Sequence, residues 1–246
     1  MQNKTALITG GAKRIGAEIA RMLHAEGMNI AIHYRGSRDE AQQLCDHLNR
    51  LRNNSAIILQ ADLLKVANLP SLVDKTVKHW GKLDALINNA SSFYPTPIGQ
   101  ITEAHWDDLI GSNLKAPLFL SQAAAPYLKQ TRGNIINIVD VHGFRPMKNH
   151  TVYSTAKAGL AMLTQSLAKE LGPEVRVNGV APGAIVWPEN NLEQDTALRE
   201  MILDRTALKR QGDPKDIAAA VRFLIRDADY ITGQVIPVCG GRSINI

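Results

Sequence analysis

Short apolar runs rich in Val, Ile and Ala alternate along the chain with longer stretches in which apolar positions recur every third or fourth residue. An apolar run of about four to eight residues bounded by Gly, Asn or Asp reads as a strand buried on both faces; a three-to-four period reads as a helix with one apolar stripe. The expected strands are Thr5 to Thr9, Asn29 to Tyr34, Ala56 to Gln60, Ala85 to Asn88, Asn134 to Val139, Val175 to Val180 and Gln234 to Val238. Between them the helical period covers Ile15 to Glu26, Arg38 to Leu51, Leu69 to Trp80, Glu103 to Lys129, Val152 to Leu171 and Pro214 to Ile225. Strictly alternating strands and helices imply βαβ units, hence an α/β class, doubly wound, with a parallel seven-stranded sheet and helices on both faces. Neither an internal repeat nor a Pro/Gly/Ser-rich linker interrupts the pattern, so residues 1–246 are expected to form one domain. The stretch Gly183 to Arg205 has no clean period and carries Pro188, Asn190 and Asn191. Following the sixth strand at its carboxyl edge, it is expected to cover a substrate.

Composition narrows the function classes. At 45% hydrophobic and 21% charged residues, the chain matches an ordinary globular protein. Cys45 and Cys239 lie far apart in no CxxC or Cys/His cluster, so neither a disulfide framework nor a metal site is expected. The N-terminal run MQNKTALITGG meets glycines before a signal-peptide core could form, and no run approaches the ~18 apolar residues of a membrane span. A cytoplasmic location with no membrane partner is therefore expected. The net charge of +5 is modest and its basic residues are scattered, which argues against nucleic acid while still favouring an anionic ligand.

Thr9-Gly10-Gly11-Ala12-Lys13-Arg14-Ile15-Gly16 directly follows the first strand and opens the first helix, so backbone N–H groups and the helix dipole point at the place a pyrophosphate would take. Such turns also arise for steric reasons alone. At the end of the second strand a fold that selects NAD usually places Asp or Glu against the ribose 2′-hydroxyl. Here the residues are His33-Tyr34-Arg35-Gly36-Ser37. A carboxylate would repel a 2′-phosphate, whereas Arg35 and the Ser37 hydroxyl would bind it, with Lys13 and Arg14 adding local positive charge. NADPH is the cofactor expected; the alternative for Arg35 is a solvated loop cation.

Tyr153 and Lys157 stand four apart in a helical stretch and share one face. An ammonium beside a phenol stabilises the phenolate and is expected to lower the tyrosine pKa, readying it for proton transfer. The same spacing is usually an ordinary helix-surface pair, but this one opens the helix after the fifth strand, at the edge where ligands bind.

The turn Thr9 to Gly16, Asn88-Asn89-Ala90, Asn113, Tyr153-x-x-x-Lys157 and Pro182-Gly183 occur in the order of the short-chain dehydrogenase/reductase family, which the chain resembles over essentially its whole length. The resemblance implies a Rossmann-like sheet, a homotetramer built through the helices Glu103 to Lys129 and Val152 to Leu171, and a dinucleotide held by Gly10, Lys13, Arg14, Ile15, His33, Tyr34, Arg35, Ser37, Asp62, Leu63, Asn89, Ala90, Ser91, Tyr153, Lys157, Pro182, Gly183 and Ile185. In it Asp62 approaches the adenine, Asn88 to Ala90 support sheet and cofactor, Asn113 orders a proton-relay water, and the loop after Pro182-Gly183 lies near the carboxamide.

Three departures narrow the subgroup. Arg14 stands at the middle glycine of the turn, Ser91 at the usual Gly after Asn-Asn-Ala, and Asp140 at the usual Ser that hydrogen-bonds a substrate carbonyl. All three, with the run Asn88 to Pro97, resemble pteridine reductases. The implied substrate site is Arg14, Ser91, Phe93, Asp140 and Tyr153, with Asp140, Tyr153 and Lys157 catalytic. A pterin is flat and rich in hydrogen-bonding groups, so Phe93 would stack on it while Arg14 and Ser91 meet its polar edge. Packing alone would also account for Phe93 and Tyr94, and capping of a strand-end N–H for Asp140. His142 and His150 receive no role. The expected activity is NADPH-dependent reduction of a dihydropterin, extending to oxidised pterins or dihydrofolate; the alternatives are a carbonyl reductase such as 3-oxoacyl-carrier-protein reductase and a non-enzymatic NADPH-binding regulator.

Overall fold

The computed structural model describes residues 1–186 and 196–244. Strands β1 (Thr5–Ile8), β2 (Asn29–Tyr34), β3 (Ala56–Gln60), β4 (Ala85–Asn88), β5 (Asn134–Ile138), β6 (Arg176–Pro182) and β7 (Val235–Val238) form one sheet in the order β3-β2-β1-β4-β5-β6-β7, every pair parallel. The helices are α1 (Arg14–Ala25), α2 (Arg38–Leu51), α3 (Leu69–Trp80), α4 (Glu103–Ile110), α5 (Ala116–Thr131), α6 (Thr151–Leu171), α7 (Thr196–Asp204) and α8 (Pro214–Arg226).

Successive residues of a strand point to opposite faces, and here both faces are covered. On β1, Ala6 and Ile8 pack with Ile19 and Leu23 of α1, Leu44 of α2 and Val221 of α8. Leu7, between them, joins Leu72 of α3 and Leu120 and Leu128 of α5 on the other side. The result is a Rossmann-like α/β fold. Strand order reverses between β1 and β4, which opens a crevice at the carboxyl ends of the strands.

A buried polar ladder crosses the sheet on the α5/α6 side. Asn88 Nδ2 donates to Asn137 Oδ1 at 2.8 Å, Asn137 Nδ2 donates to Thr164 Oγ1 at 2.9 Å, and the Thr164 hydroxyl donates to Leu160 O at 2.8 Å. The ladder thus ties β4 and β5 to α6.

One expectation is corrected, and one stretch left without an assignment gains an element. The helical stretch Glu103 to Lys129 is divided by a π-helical turn, Gly111–Lys115, in which the Ala116 N–H reaches back five residues to Gly111 O. Pro117 has no N–H to close an ordinary α-helical bond, and Gly111 is packed so tightly on Leu64 that a Cβ there would lie 2.5 Å from Leu64 Cδ2. Within the aperiodic segment Gly183 to Arg205, residues 196–204 form α7; none of its residues is buried, so it has no apolar stripe to read. Pro188, Asn190, Asn191 and the rest of 187–195 lie outside the described residues. Elsewhere strand and helix ends shift by one or two residues.

Candidate active site

The turn between β1 and α1 is shaped by steric limits and a clasp of side chains. Gly10 has φ +59° and sits against Ala90, where a Cβ would approach the Ala90 Cα to 3.0 Å. At Gly16 a Cβ would lie 2.3 Å from Gly10 O, so a side chain there would break the turn's contact with α1. Asn89 Nδ2 donates to Thr9 O and Gly10 O at 2.9 and 3.0 Å, while Thr9 Oγ1 accepts the N–H groups of Asn89 and Ala90 at 2.9 and 3.0 Å. Turn and β4 end are thereby one unit. Arg14 occupies the left-handed region at φ +52°, which costs a non-glycine residue about 1 kcal/mol. Its side chain is exposed and its Nη2 donates to Val186 O at 3.3 Å, bridging the turn to the loop after β6.

The carboxyl end of β2 holds the turn from below. All of β2 is buried. His33 accepts the Gly10 N–H on Nδ1 at 3.1 Å and donates from Nε2 to Ala61 O at 3.2 Å, so both ring nitrogens are engaged in holding the turn. Burial lowers its pKa to about 4, against a smaller opposing effect of the Ala61 hydrogen bond, and it is neutral. The Tyr34 ring lies in the core. The His33 and Tyr34 rings thus lie beneath the turn, packed into the strand's surroundings. Arg35 is exposed and Ser37 half-exposed at the start of α2; Lys13 forms an ion pair with Glu40 at 2.5 Å.

The Asp62 carboxylate, beyond β3, accepts the Leu64 N–H at 3.1 Å, while the Leu63 side chain is buried. At the end of β6, Gly183 donates its N–H to Val238 O at 3.1 Å and leaves no space for a side chain beside Cys239. Ile185 is buried in the core, and Gln211 Nε2 donates to its carbonyl at 2.7 Å.

Asp140, Tyr153 and Lys157 converge. Asp140 follows β5, where its Oδ1 accepts the His142 N–H at 2.8 Å and its Oδ2 accepts the Tyr153 hydroxyl at 2.8 Å. Lys157 Nζ donates to Ile138 O at 2.9 Å and stands 5.7 Å from the Tyr153 ring centroid. Here the expected direction is reversed. Burial, then the charge and hydrogen bond of Asp140, hold the Tyr153 pKa well above its ordinary value, with a hydrogen bond to Ser91 acting the other way. The same burial lowers Lys157 to about 8, opposed by Asp140. With a carboxylate bonded to it, the phenol is kept as a protonated donor.

The π turn places Asn113 against this cluster. Ser91 Oγ donates to Asn113 Oδ1 at 2.7 Å, and Asn113 Nδ2 donates to Ser92 O and Leu109 O at 2.9 and 3.0 Å. Phe93 keeps 38% exposure, with its ring stacked on His150 at 4.8 Å and edge-on to Tyr153 at 4.8 Å. His150, to which the sequence assigns nothing, backs one face of Phe93 and is itself pinned by Lys148 O at 2.9 Å. Among the described residues no group of three or more His, Cys, Asp or Glu side chains is placed to hold a metal. No helix among them is long and apolar enough to cross a membrane.

A family model described as enoyl-(acyl carrier protein) reductase matches residues 10–243, from the glycine turn to the last 3₁₀ turn. The chain belongs to the short-chain dehydrogenase/reductase family. It is 38% identical to "Pteridine reductase 1" of Leishmania tarentolae, over 97% of this chain and 96% of that protein. It is 37% identical to the 3-oxoacyl-[acyl-carrier-protein] reductase FabG of Staphylococcus epidermidis, over 97% and 98%. A putative ketoacyl reductase of granaticin synthesis from Streptomyces violaceoruber is 34% identical over 96% and 94%. As a short-chain dehydrogenase/reductase the chain is an oxidoreductase of a family that binds nicotinamide dinucleotides. Its similarity to reductases of two substrate classes differs by one per cent identity, so the choice between them falls to the chemistry of the site.

Proposed function

We propose that the chain is an NADPH-dependent pteridine reductase acting on dihydropterins, with oxidised pterins and dihydrofolate as further substrates. The observation that carries this is the carboxylate of Asp140, hydrogen-bonded at 2.8 Å to Tyr153. A ketone oxygen gathers negative charge as it is reduced and needs hydrogen-bond donors around it. A tyrosine hydroxyl with a serine beside it supplies two; a carboxylate at the second position would repel the oxygen. A pteridine presents ring N–H and amino donors, for which a carboxylate is the matching acceptor.

The residues present suit the cofactor. Gly10 and Gly16 leave the turn without side chains beside backbone N–H groups at the start of α1, and no acid stands at the end of β2 where Arg35 is exposed. The turn and α1 would receive the pyrophosphate, Arg35 and Ser37 the 2′-phosphate, and Asp62 and the Gly183 loop the two ends of the dinucleotide. Bound NADPH supplies the hydride.

Tyr153 holds a proton at its hydroxyl and gives it to a ring nitrogen beside the reduced carbon. Lys157, lowered to about 8 and so still mainly an ammonium at neutral pH, favours the phenolate left behind, and Asp140 orients the phenol and relays a replacement proton. Ser91, fixed by Asn113, and Arg14 meet the polar edge of the pteridine while Phe93 covers its face. One domain, a cytoplasmic location and a homotetramer built through α4, α5 and α6 complete this reading; light scattering tests the last.

NADPH consumption with dihydrobiopterin, dihydrofolate and an acetoacetyl thioester, assayed in parallel, decides the substrate. Turnover of the pteridines without the thioester is expected. Turnover of the thioester alone would overturn the proposal in favour of a 3-oxoacyl reductase.

A further inference from the structure

Beyond the expected site, one charged group at the carboxyl edge of the sheet has no described partner. The 3₁₀ turn Arg242–Ile244 follows β7, closed by the Arg242 N–H to Cys239 O at 3.1 Å and by a 3.4 Å contact of Cys239 Sγ with Ser243 Oγ. It packs on the 206–208 turn, where Leu208 donates its N–H to Gly240 O at 3.0 Å. Arg242 Nη1 is shut off from solvent without a hydrogen-bond partner among the described residues. A buried donor on a cation is costly unless an acceptor or an opposite charge compensates it.

The compensating charge is two strands away. In the order β5-β6-β7, Asp140 follows the end of β5 and Arg242 follows β7, with β6, which ends at Pro182, between the two strands. Two strand spacings amount to ~10 Å, near enough for two charges at this enclosed edge to act on each other without touching. Asp140 is engaged by Tyr153 and the His142 N–H but has no salt bridge within 4.0 Å among the described residues, and neither has Arg242. Burial draws the Arg242 pKa below its ordinary value; of the charges acting on it, Asp140 is the leading one that opposes this, with Cys239 on the same side and Arg205 against. Lys157, on α6, also feels Asp140.

We propose that Arg242 is a positioning residue, the counter-charge that holds the Asp140 carboxylate toward Tyr153. It acts through Asp140 and touches no reacting atom. The proposal rests on the reading of Asp140 as the partner of Tyr153 during turnover, and its test has an arm that needs no substrate.

The test combines Arg242→Gln, Arg242→Lys and Asp140→Asn, singly and in pairs, with kcat, KM and NADPH affinity measured for whichever substrate turns over, and with thermal unfolding of the same proteins. Arg242→Gln is expected to lower kcat about tenfold with KM and NADPH affinity nearly unchanged, Arg242→Lys to restore most of the loss, and Arg242→Gln to cost nothing further once Asp140 is Asn. A rise in KM with kcat intact would assign Arg242 to substrate binding and overturn the proposal, as would losses that simply multiply in the double variant. In unfolding, the two substitutions are expected to couple, with Arg242→Gln less damaging beside Asp140→Asn than alone. If Arg242→Gln does not fold, recovery of folding by Asp140→Asn supports the pair, and failure of both variants makes Arg242 purely structural. Because unfolding needs no substrate, coupling there without pteridine turnover would leave the Arg242–Asp140 coupling standing and remove only the substrate assignment.

Discussion

Replacing Lys157 by Met should make the protein more stable and less active at neutral pH. The lysine is wholly enclosed, and its pKa falls from 10.5 to about 8 because burial disfavours the ammonium. At ~1.36 kcal/mol per pH unit, holding that charge in the folded state at pH 7 costs about 3 kcal/mol relative to the unfolded chain. Methionine has a similar length and no charge, so it removes this cost; it also leaves Ile138 O without its donor, a loss of about 1 kcal/mol. The net gain of ~2 kcal/mol should raise the melting temperature by roughly 4–8 °C in a chain of this size. Between about pH 8 and 10.5 the folded wild type binds fewer protons at this position than the unfolded chain, so the wild type gains stability as pH rises through that window and the variant does not. The difference between the two should therefore shrink from pH 7 to pH 10. Urea unfolding at both pH values and equal protein concentration measures it, while turnover should fall at least a hundredfold. A variant less stable than wild type at pH 7, or a gap indifferent to pH, would refute the claim that burial of a charged lysine is stored at this site.

Tyr153→Phe should lower turnover roughly 10²- to 10⁴-fold with NADPH affinity nearly intact, since only the transferable proton is lost; single-turnover kinetics and a binding titration separate the two. Arg35→Ala should weaken NADPH binding by about 10- to 100-fold and leave NADH unaffected, read by titrating both cofactors. Phe93→Ala should raise the pteridine KM about two- to tenfold, the worth of one stacking partner; an unchanged KM would return Phe93 to packing. Arg14→Gly should stabilise the fold by about 1 kcal/mol by relieving φ +52° while lowering kcat/KM, and a gain in both would remove Arg14 from the site.

Much of this is readable in the chain because a parallel sheet covered on both faces writes its strands as unbroken apolar runs and its helices as one-sided stripes. That same property hides what lies inside β2: with every residue of the strand buried, periodicity cannot separate the exposed Arg35 from the enclosed His33 and Tyr34 just before it. The π turn escapes notice because apolar spacing from Glu103 to Lys129 tolerates one extra residue, although Gly111 and Pro117 on either side of Asn113 mark the place. His150 and Arg242 are isolated residues whose roles come from neighbours distant in sequence: Phe93 in one case, Asp140 in the other. The pairing of Asp140 with Tyr153 was legible through their strand-end and helix-start positions, but its effect on the phenol depends on burial, which spacing does not reveal.

The ladder Asn88–Asn137–Thr164 bears on how α6 can move. Apolar surfaces tolerate sliding, since one methyl group substitutes for another, whereas a chain of hydrogen bonds admits a single alignment and leaves buried groups unpaired in every other. A helix seated on such a ladder cannot shift along the sheet by a fraction of a turn without breaking it. Substituting the three residues by apolar ones of matching volume could leave the melting temperature unchanged or raise it. The cost would surface elsewhere, as a spread of distances between Tyr153 and Asp140 from one molecule to the next. The interior of this sheet thus acts as a ruler for chemistry taking place at its edge.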